Sequence, residues 1–554
     1  MTSSSDNKHP APQRPLRPTP NLGAGLLARL TLTIALLSCQ STATRAQTAD
    51  QKSNTPSQAQ NAEQLSLQLV RELDGLQREI QQKAQRLTLQ EAITTGLINN
   101  PKLLETFSTI QQYEWQLIAA KRTWYPSAQL SNGTPFAGYS WQTFVGNQYG
   151  QPVIYGIEQP GAPVIQTESN TALKSGYAQF QPGVSVSWNF IDPTRQPNIN
   201  AASESLRQQK LLFDVGARNL ILNIQQSYFQ IQSTEQLIKS FIQIYAINKQ
   251  QLETINAQRS IGMVTVLDLE QTRSQLFIQL NQLVQFTRDY IAQTARLAEA
   301  LGLPQGSLAV PSEPARPSGS WSVSLNQTIT QAIQKREEIQ ASLAAAESAK
   351  WSGIAAIRTY FPVFQLVGTG SLTAQDGYLN APVSSATNPY SATNRTWAGS
   401  AGLGFTWTFF DGGVNAASSQ AAFALSRQKK AEATSTELQI EQQVRSSYGQ
   451  YLTSKVALTS AQQALLSAEK AQEASRARFA VGVGDITSVV QTIQQLSQAS
   501  EQLSQAVLSH NISVAELYRY SATWPINSQQ EVLNRLRVMR TMQGQTPAPG
   551  SRQP

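Results

Sequence analysis

Cysteine is almost missing from this chain of 554 residues: Cys39, near the N-terminus, stands alone, so no intrachain disulfide can form. Histidine is nearly as scarce. His9 lies in the N-terminal region and His510 is isolated in a helical stretch, which leaves no zinc-type ligand spacing. There is no phosphate loop following a strand and no thiol nucleophile in a mature chain, so neither an enzyme nor a bound cofactor or metal is expected. Long apolar runs are absent too. Nothing approaches the roughly 20 residues a membrane-crossing helix needs, which excludes a helical membrane protein. Charge is sparse at 14% of residues, and the formal +8 is misleading. Residues 1–46 hold five Lys/Arg against one acid, and without them the balance falls to +4, spread without a basic cluster. That spread speaks against nucleic acid.

What the chain has is repetition. Ala120-Lys121-Arg122-Thr123-Trp124-Tyr125-Pro126 returns as Ala356-Ile357-Arg358-Thr359-Tyr360-Phe361-Pro362, 236 residues later. At the same offset, Leu89-Gln90-Glu91-Ala92-Ile93 returns as Leu325-Asn326-Gln327-Thr328-Ile329. Gly183–Phe190 (GVSVSWNF) is echoed by Gly402–Phe409 (GLGFTWTF) at an offset of 219, and Gly262 by Gly482 at 220. Units this long are not solenoid repeats; a whole helix–strand–helix module has been duplicated.

The N-terminus reads as an export signal. Arg14, Arg17 and Arg29 precede the short apolar run Leu30–Leu37. Thr44-Arg45-Ala46 suits ordinary cleavage, whereas Leu36-Leu37-Ser38-Cys39 resembles a lipobox that would leave Cys39 acylated. Leu37 fits that motif poorly, which favours ordinary cleavage. Both readings send the chain to the bacterial envelope. The expected division is a signal peptide (1–46), a Gln/Ala/Ser-rich extension (47–86) with a short helix near Leu65–Ile80, and repeat 1 (87–303). A Pro-rich linker (304–322), repeat 2 (323–521) and a partly disordered tail (522–554) follow.

Within each repeat the hydrophobic period changes. Leu89–Thr123 is helical in pattern, and Pro126 stops it. Val184, Val186, Trp188 and Phe190 alternate with polar residues, as do Leu403, Phe405, Trp407 and Phe409, which predicts strands with one apolar face. Asp192-Pro193 and Asp411-Gly412-Gly413 then supply helix-start chemistry. Long helices follow to about Gln258 and Phe479, with heptad columns at Ala217, Ile224, Ile231, Ile238, Tyr245 and Leu252, and at Val444, Tyr451, Leu458 and Leu465. After Gly262 and Gly482, shorter helices return over Val266–Leu301 and Ile486–Tyr520. Two hairpins give four strands, and even small barrels need about eight, so geometry demands an oligomer; a trimer would supply twelve. The fold class expected is mainly α with a transmembrane β-barrel portion.

In these features the chain resembles the TolC-like outer-membrane efflux proteins across roughly residues 87–521. The resemblance rests on the paired helix starts, the Ala-x-Arg-x-x-x-Pro junctions, the apolar strands running into Asp192 and Asp411, and the glycines at the helix tips. It implies a homotrimeric duct, a 12-stranded barrel in outer-membrane lipid on a long α-helical barrel in the periplasm. It also implies a periplasmic adaptor (membrane fusion) protein and an inner-membrane efflux pump or ABC transporter docking at the tips. Arg259, Gly262, Met263 and Val264, with Gly482, Val483, Gly484 and Asp485, are then the adaptor contacts. Asp268 takes the place of an acidic residue that narrows the entrance, although the second repeat has Ser488 and Gln491 where the family's acidic pair is expected. Trp124, Tyr125, Tyr360 and Phe361 suit a membrane–water interface or ordinary joint packing. The function expected is an outer-membrane export duct. A periplasmic coiled-coil adaptor or scaffold is the alternative, but it would leave the alternating strands unexplained. The first hairpin exceeds the second by 17 residues, placing Gly138, Tyr139, Trp141, Tyr149 and Tyr155 in a longer outer loop.

Overall fold

A computed structural model describes residues 57–149, 168–382 and 391–524. The signal region with Cys39, Tyr155 and the tail beyond Trp524 lie outside the described residues. The chain opens with α1 (Ser57–Lys83) and the short strand β1 (Gln85–Leu87). Repeat 1 continues through α2 (Leu89–Asn99), α3 (Pro101–Arg122), β2 (Ser127–Tyr149), β3 (Glu168–Ile191), α4 (Arg195–Ser260) and α5 (Val266–Leu301). After β4 (Ala309–Pro311), repeat 2 gives α6 (Leu325–Lys335), α7 (Glu337–Arg358), β5 (Val363–Pro382), β6 (Ser391–Thr406), α8 (Val414–Ala480) and α9 (Ile486–Tyr520).

The helix expected over Leu89–Thr123 is two helices, and the break recurs in repeat 2. Pro101 disfavours helical geometry at the residue before it, and Asn100 is extended there (φ −64°, ψ 119°). Asn100 then accepts from the N–H groups of Lys102 and Leu103 and donates to the Ala300 carbonyl (2.8 Å), so the break is tied down. Repeat 2 has no proline at this point. Arg336 is extended instead (φ −69°, ψ 125°), with its guanidinium on Gln443 (2.7 Å), while Glu337 pairs with Arg218.

Two further expectations change. Trp407 and Phe409 lie beyond the end of β6 at Thr406. Gly138, Tyr139, Trp141 and Tyr149 belong to strand β2 rather than to a loop. The linker also carries structure: β4 pairs in parallel with β1, and Ala309 and Val310 are buried. Ser318 and Arg316 are held by Asn511, and the Trp321 N–H by the Tyr451 hydroxyl (3.0 Å).

The residues gather into two compact units, each drawn from both repeats. One holds residues 213–260 of α4 and 436–480 of α8, with α5, α9 and the β1–β4 pair; the other holds the four long strands and the helical segments that adjoin them in sequence. In the first unit the heptad column of α4 is buried at every position from Ala217 to Leu252. The column in α8 is buried at Val444 and Tyr451 but only half-buried at Leu458 and Leu465. There the small residues Ser447, Ser454, Ala461 and Ala468, also seven apart, are buried instead. The apolar seam thus runs thick along one long helix and thin along the other.

Candidate functional site

The two tips are built alike. Each long helix ends in paired reverse bonds: Met263 N–H to the Gln258 carbonyl and Gly262 N–H to Arg259 (both 2.9 Å), then Val483 N–H to Arg478 (3.0 Å) and Gly482 N–H to Phe479 (3.1 Å). This helix stop requires a left-handed residue, supplied by Gly262 (φ +78°) and Gly482 (φ +79°). Gly484 is needed for another reason: a Cβ there would sit 2.8 Å from the Phe479 nitrogen. The tips share one apolar cluster with Ile255, Leu269, Phe479, Ile486 and Val489, against which Val264 packs. Around that cluster Ile261, Met263, Val266, Leu267, Val481 and Val483 are exposed, between 57% and 74%. Arg259 and Asp485 are exposed as well.

The two tip carboxylates differ. Asp268 closes a capping box: its Oδ2 accepts from the Thr265 N–H (2.8 Å) and hydroxyl (2.7 Å), while Thr265 Oγ1 accepts from the Asp268 N–H. Asp485 occupies the N-cap of α9 and makes no side-chain cap bond.

In each repeat the helix-to-strand junction is locked by an indole. Trp188 Nε1 donates to the Trp124 carbonyl, and Trp407 Nε1 to the Tyr360 carbonyl, both at 2.9 Å. Thr123 and Thr359 each donate to the carbonyl three residues back, at 2.7 Å. The copies then diverge. In repeat 2 the Tyr360 hydroxyl donates to Asp411 Oδ1 (2.6 Å), and Asp411 caps the start of α8 by accepting from Gly413 and Asn415. Tryptophan at 124 has no such hydroxyl. There the buried Arg195 lies over the Trp124 ring at 4.3 Å and donates to the Asn189 carbonyl. Trp124, Tyr125 and Phe361 remain largely exposed, and Tyr360 half-buried.

The four long strands form one antiparallel sheet, ordered β2-β3-β5-β6, whose register sorts the side chains into two faces. Leu130–Val184, Ala128–Val186, Trp188–Leu366–Leu403 and Phe364–Phe405 share one face. Ser127–Ser187, Gln129–Ser185–Thr369–Ser400 and Gly183–Ser371 share the other, with hydroxyl pairs at 2.9 Å (Ser127–Ser187) and 2.7 Å (Thr369–Ser400). The apolar face is exposed at Leu130, Val184, Val186, Trp188, Phe364, Leu366, Leu403 and Phe405, and Ser127, Gln129, Thr369 and Ser400 on the other face are exposed as well. The apolar face continues to Leu372 and Trp397, then turns polar at Arg395 and Asp376. From Phe364 to Leu372 this is about 27 Å of strand at roughly 3.4 Å per residue, near the ~25 Å apolar band of a lipid-facing barrel. Trp397, 80% exposed, marks its far edge. Sequence reasoning missed that residue, although counting by twos from Leu403 reaches it.

Arg195 and a second cluster were also missed. Arg218 donates from two guanidinium nitrogens to one Glu337 oxygen, Oε1 (3.0 and 3.1 Å), and lies 3.8 Å from the Trp524 ring centroid, while Arg519 donates to Asn219 (2.7 Å). These residues come from three separate stretches of chain, so no local spacing could reveal them.

Among the described residues no helix is long and apolar enough to cross a membrane, and no group of acids, His or Cys is placed to hold a metal. The chain matches the family model described as outer membrane efflux protein over residues 92–303 and 328–523. No curated protein matches it in sequence. Solved structures with a similar fold include the outer-membrane channel OprN (TM-score 0.60, 16% identity, 79% of this chain and 90% of that one). The CmeC outer membrane channel of Campylobacter jejuni (0.62, 15%, 81% and 89%) and the open-state MtrE channel of Neisseria gonorrhoeae (0.57, 16%, 78% and 89%) are similar too. With both repeats matched over most of the chain, the protein belongs to the outer membrane efflux protein family: it is an outer-membrane efflux channel extending into the periplasm, and not an enzyme.

Proposed function

We propose that three copies of the chain close a 12-stranded barrel and that the helices below it line a passive duct. The observation that carries this reading is the two-faced sheet. One face is an exposed apolar band of barrel height, the other a ladder of Ser, Thr and Gln, and among the described strands β2 and β6 have open edges. An open edge left in lipid would strand backbone groups that water cannot reach, so closure with neighbouring subunits is the stable solution. The hydroxyl face then lines the lumen, and Trp124, Tyr125, Phe361 and Trp407 form the inner aromatic girdle, facing Trp397 at the outer one.

The exposed apolar tips are the docking surface for a periplasmic adaptor, itself tied to an inner-membrane pump or ABC transporter. Arg259, Gly262, Met263, Val264, Gly482, Val483, Gly484 and Asp485 make up this surface. Asp268 contributes its charge there, with Oδ2 held by Thr265. Three copies form an acidic ring that favours cations at the entrance. The test is planar-bilayer recording of the purified protein. The duct reading expects ion conductance with cation preference; a preparation that stays folded and never conducts would overturn it.

A further inference from the structure

The seven-residue phrase that the repeats share gives almost every residue a partner within the chain, and its arginine is the exception. Thr123 and Thr359 donate to the Ala120 and Ala356 carbonyls, and the Trp124 and Tyr360 carbonyls receive the indoles. Pro126 and Pro362 stand one residue before β2 and β5, where a helix cannot continue. Arg122 and Arg358 are the last residues of α3 and α7, and both are exposed. Among the described residues their side chains have no hydrogen bond, ion pair or ring contact. Lys121 is equally exposed and unpaired, whereas its counterpart in repeat 2 is Ile357.

The surroundings offer these cations nothing negative. Within seven residues on either side of Arg122 or Arg358 the sequence holds no acid. The carboxylates that start the next helices are already occupied. Asp192 accepts from the Thr194 N–H (2.9 Å) and hydroxyl (2.7 Å), and Asp411 from Tyr360, Gly413 and Asn415. Three residues beyond each arginine stand Tyr125 and Phe361, exposed at the margin of the apolar band. A cation at a helix C-terminus gains from the helix dipole in any solvent. The dipole does not dictate a margin of unpaired cations beside interface aromatics. The headgroup layer outside the ~30 Å hydrocarbon core is roughly 5–7 Å deep, and a Lys or Arg stem can lie along apolar surface while its charge reaches a phosphate there.

We propose that Lys121 with Arg122, and Arg358, bind the headgroup phosphates of anionic phospholipid in the periplasmic leaflet, with repeat 1, where two charges meet, the tighter site. This rests on the reading of the sheet as part of a lipid-facing barrel. Charge complementarity selects the ligand, because a zwitterionic headgroup brings an ammonium of its own. The test is native mass spectrometry of the delipidated full-length protein in neutral detergent, titrated with phosphatidylglycerol or phosphatidylethanolamine. Wild type should bind phosphatidylglycerol about fivefold more tightly. R122Q/R358Q should abolish that preference, R122K/R358K should keep it, and K121Q should bring the two sites to similar affinity. A purely structural arginine would instead lower the melting temperature of R122Q/R358Q and leave the lipid preference intact, which would overturn the proposal. Equal binding of both lipids by wild type would overturn it too, as would displacement of phosphatidylglycerol by millimolar inorganic phosphate, the mark of a free-anion site. The same spectra count subunits, so failure of barrel assembly is read separately from failure of lipid selection.

Discussion

Asp214 shows how a single residue carries a pH response. Burial raises its carboxyl to about 6, and the neighbouring Glu337 adds to the rise while Arg218 opposes it. A carboxyl whose folded value exceeds its unfolded one favours the native state when protonated. Its destabilising effect is therefore absent below about pH 4, grows as pH climbs toward 6, and is complete above. Asp214→Asn should match wild type in melting temperature near pH 4 and exceed it at pH 7.5; a constant difference across that range would contradict the assignment. At the tip, Thr265→Ala and Asp268→Asn separate cap from charge. Both lose capping-box bonds and should lower the stability of the α5 start by about 1 kcal/mol, read as faster amide exchange. Only Asp268→Asn should weaken cation preference in bilayers. An equal change in Thr265→Ala would move the acidic ring away from Asp268.

Among the elements, the strands give the sharpest contrast. Val186 and Phe405 lie on the exposed apolar face, Ser187 and Ser400 on the hydroxyl face. Arginine at Val186 or Phe405 should cost about 2–4 kcal/mol near the bilayer midplane and deplete the protein from the outer membrane. Arginine at Ser187 or Ser400 should be tolerated in a watery lumen. Equal depletion of both sets, measured by immunoblot of outer-membrane fractions, would invert or abolish the facing. This division was legible in sequence because period two is a local signal, as was the α4 seam from Ala217 to Leu252, where seven-residue spacing coincides with burial. The break at Asn100–Pro101 was announced by proline, yet a long apolar rhythm on both sides masked it. Its twin at Arg336–Glu337 depends on Gln443 and Arg218, contacts that no window of sequence contains. The same holds for β4 and for Arg195 over Trp124. The tip glycines were legible because a left-handed turn admits few other residues, whereas the capping role of Asp268 needed coordinates.

For the whole molecule, duplication explains why one chain suffices for only part of a barrel. Among the described residues two hairpins give four strands with two open edges, and the apolar band on them runs about 27 Å, at roughly 3.4 Å per residue. A family that works in tripartite efflux systems needs a pore wide enough for cargo, which a single four-stranded sheet cannot enclose. The most direct test is native mass measurement of the full-length protein extracted from outer membranes in mild detergent. A single species at three times the chain mass is the predicted result; a folded monomer or dimer that retains the long strands would contradict barrel closure.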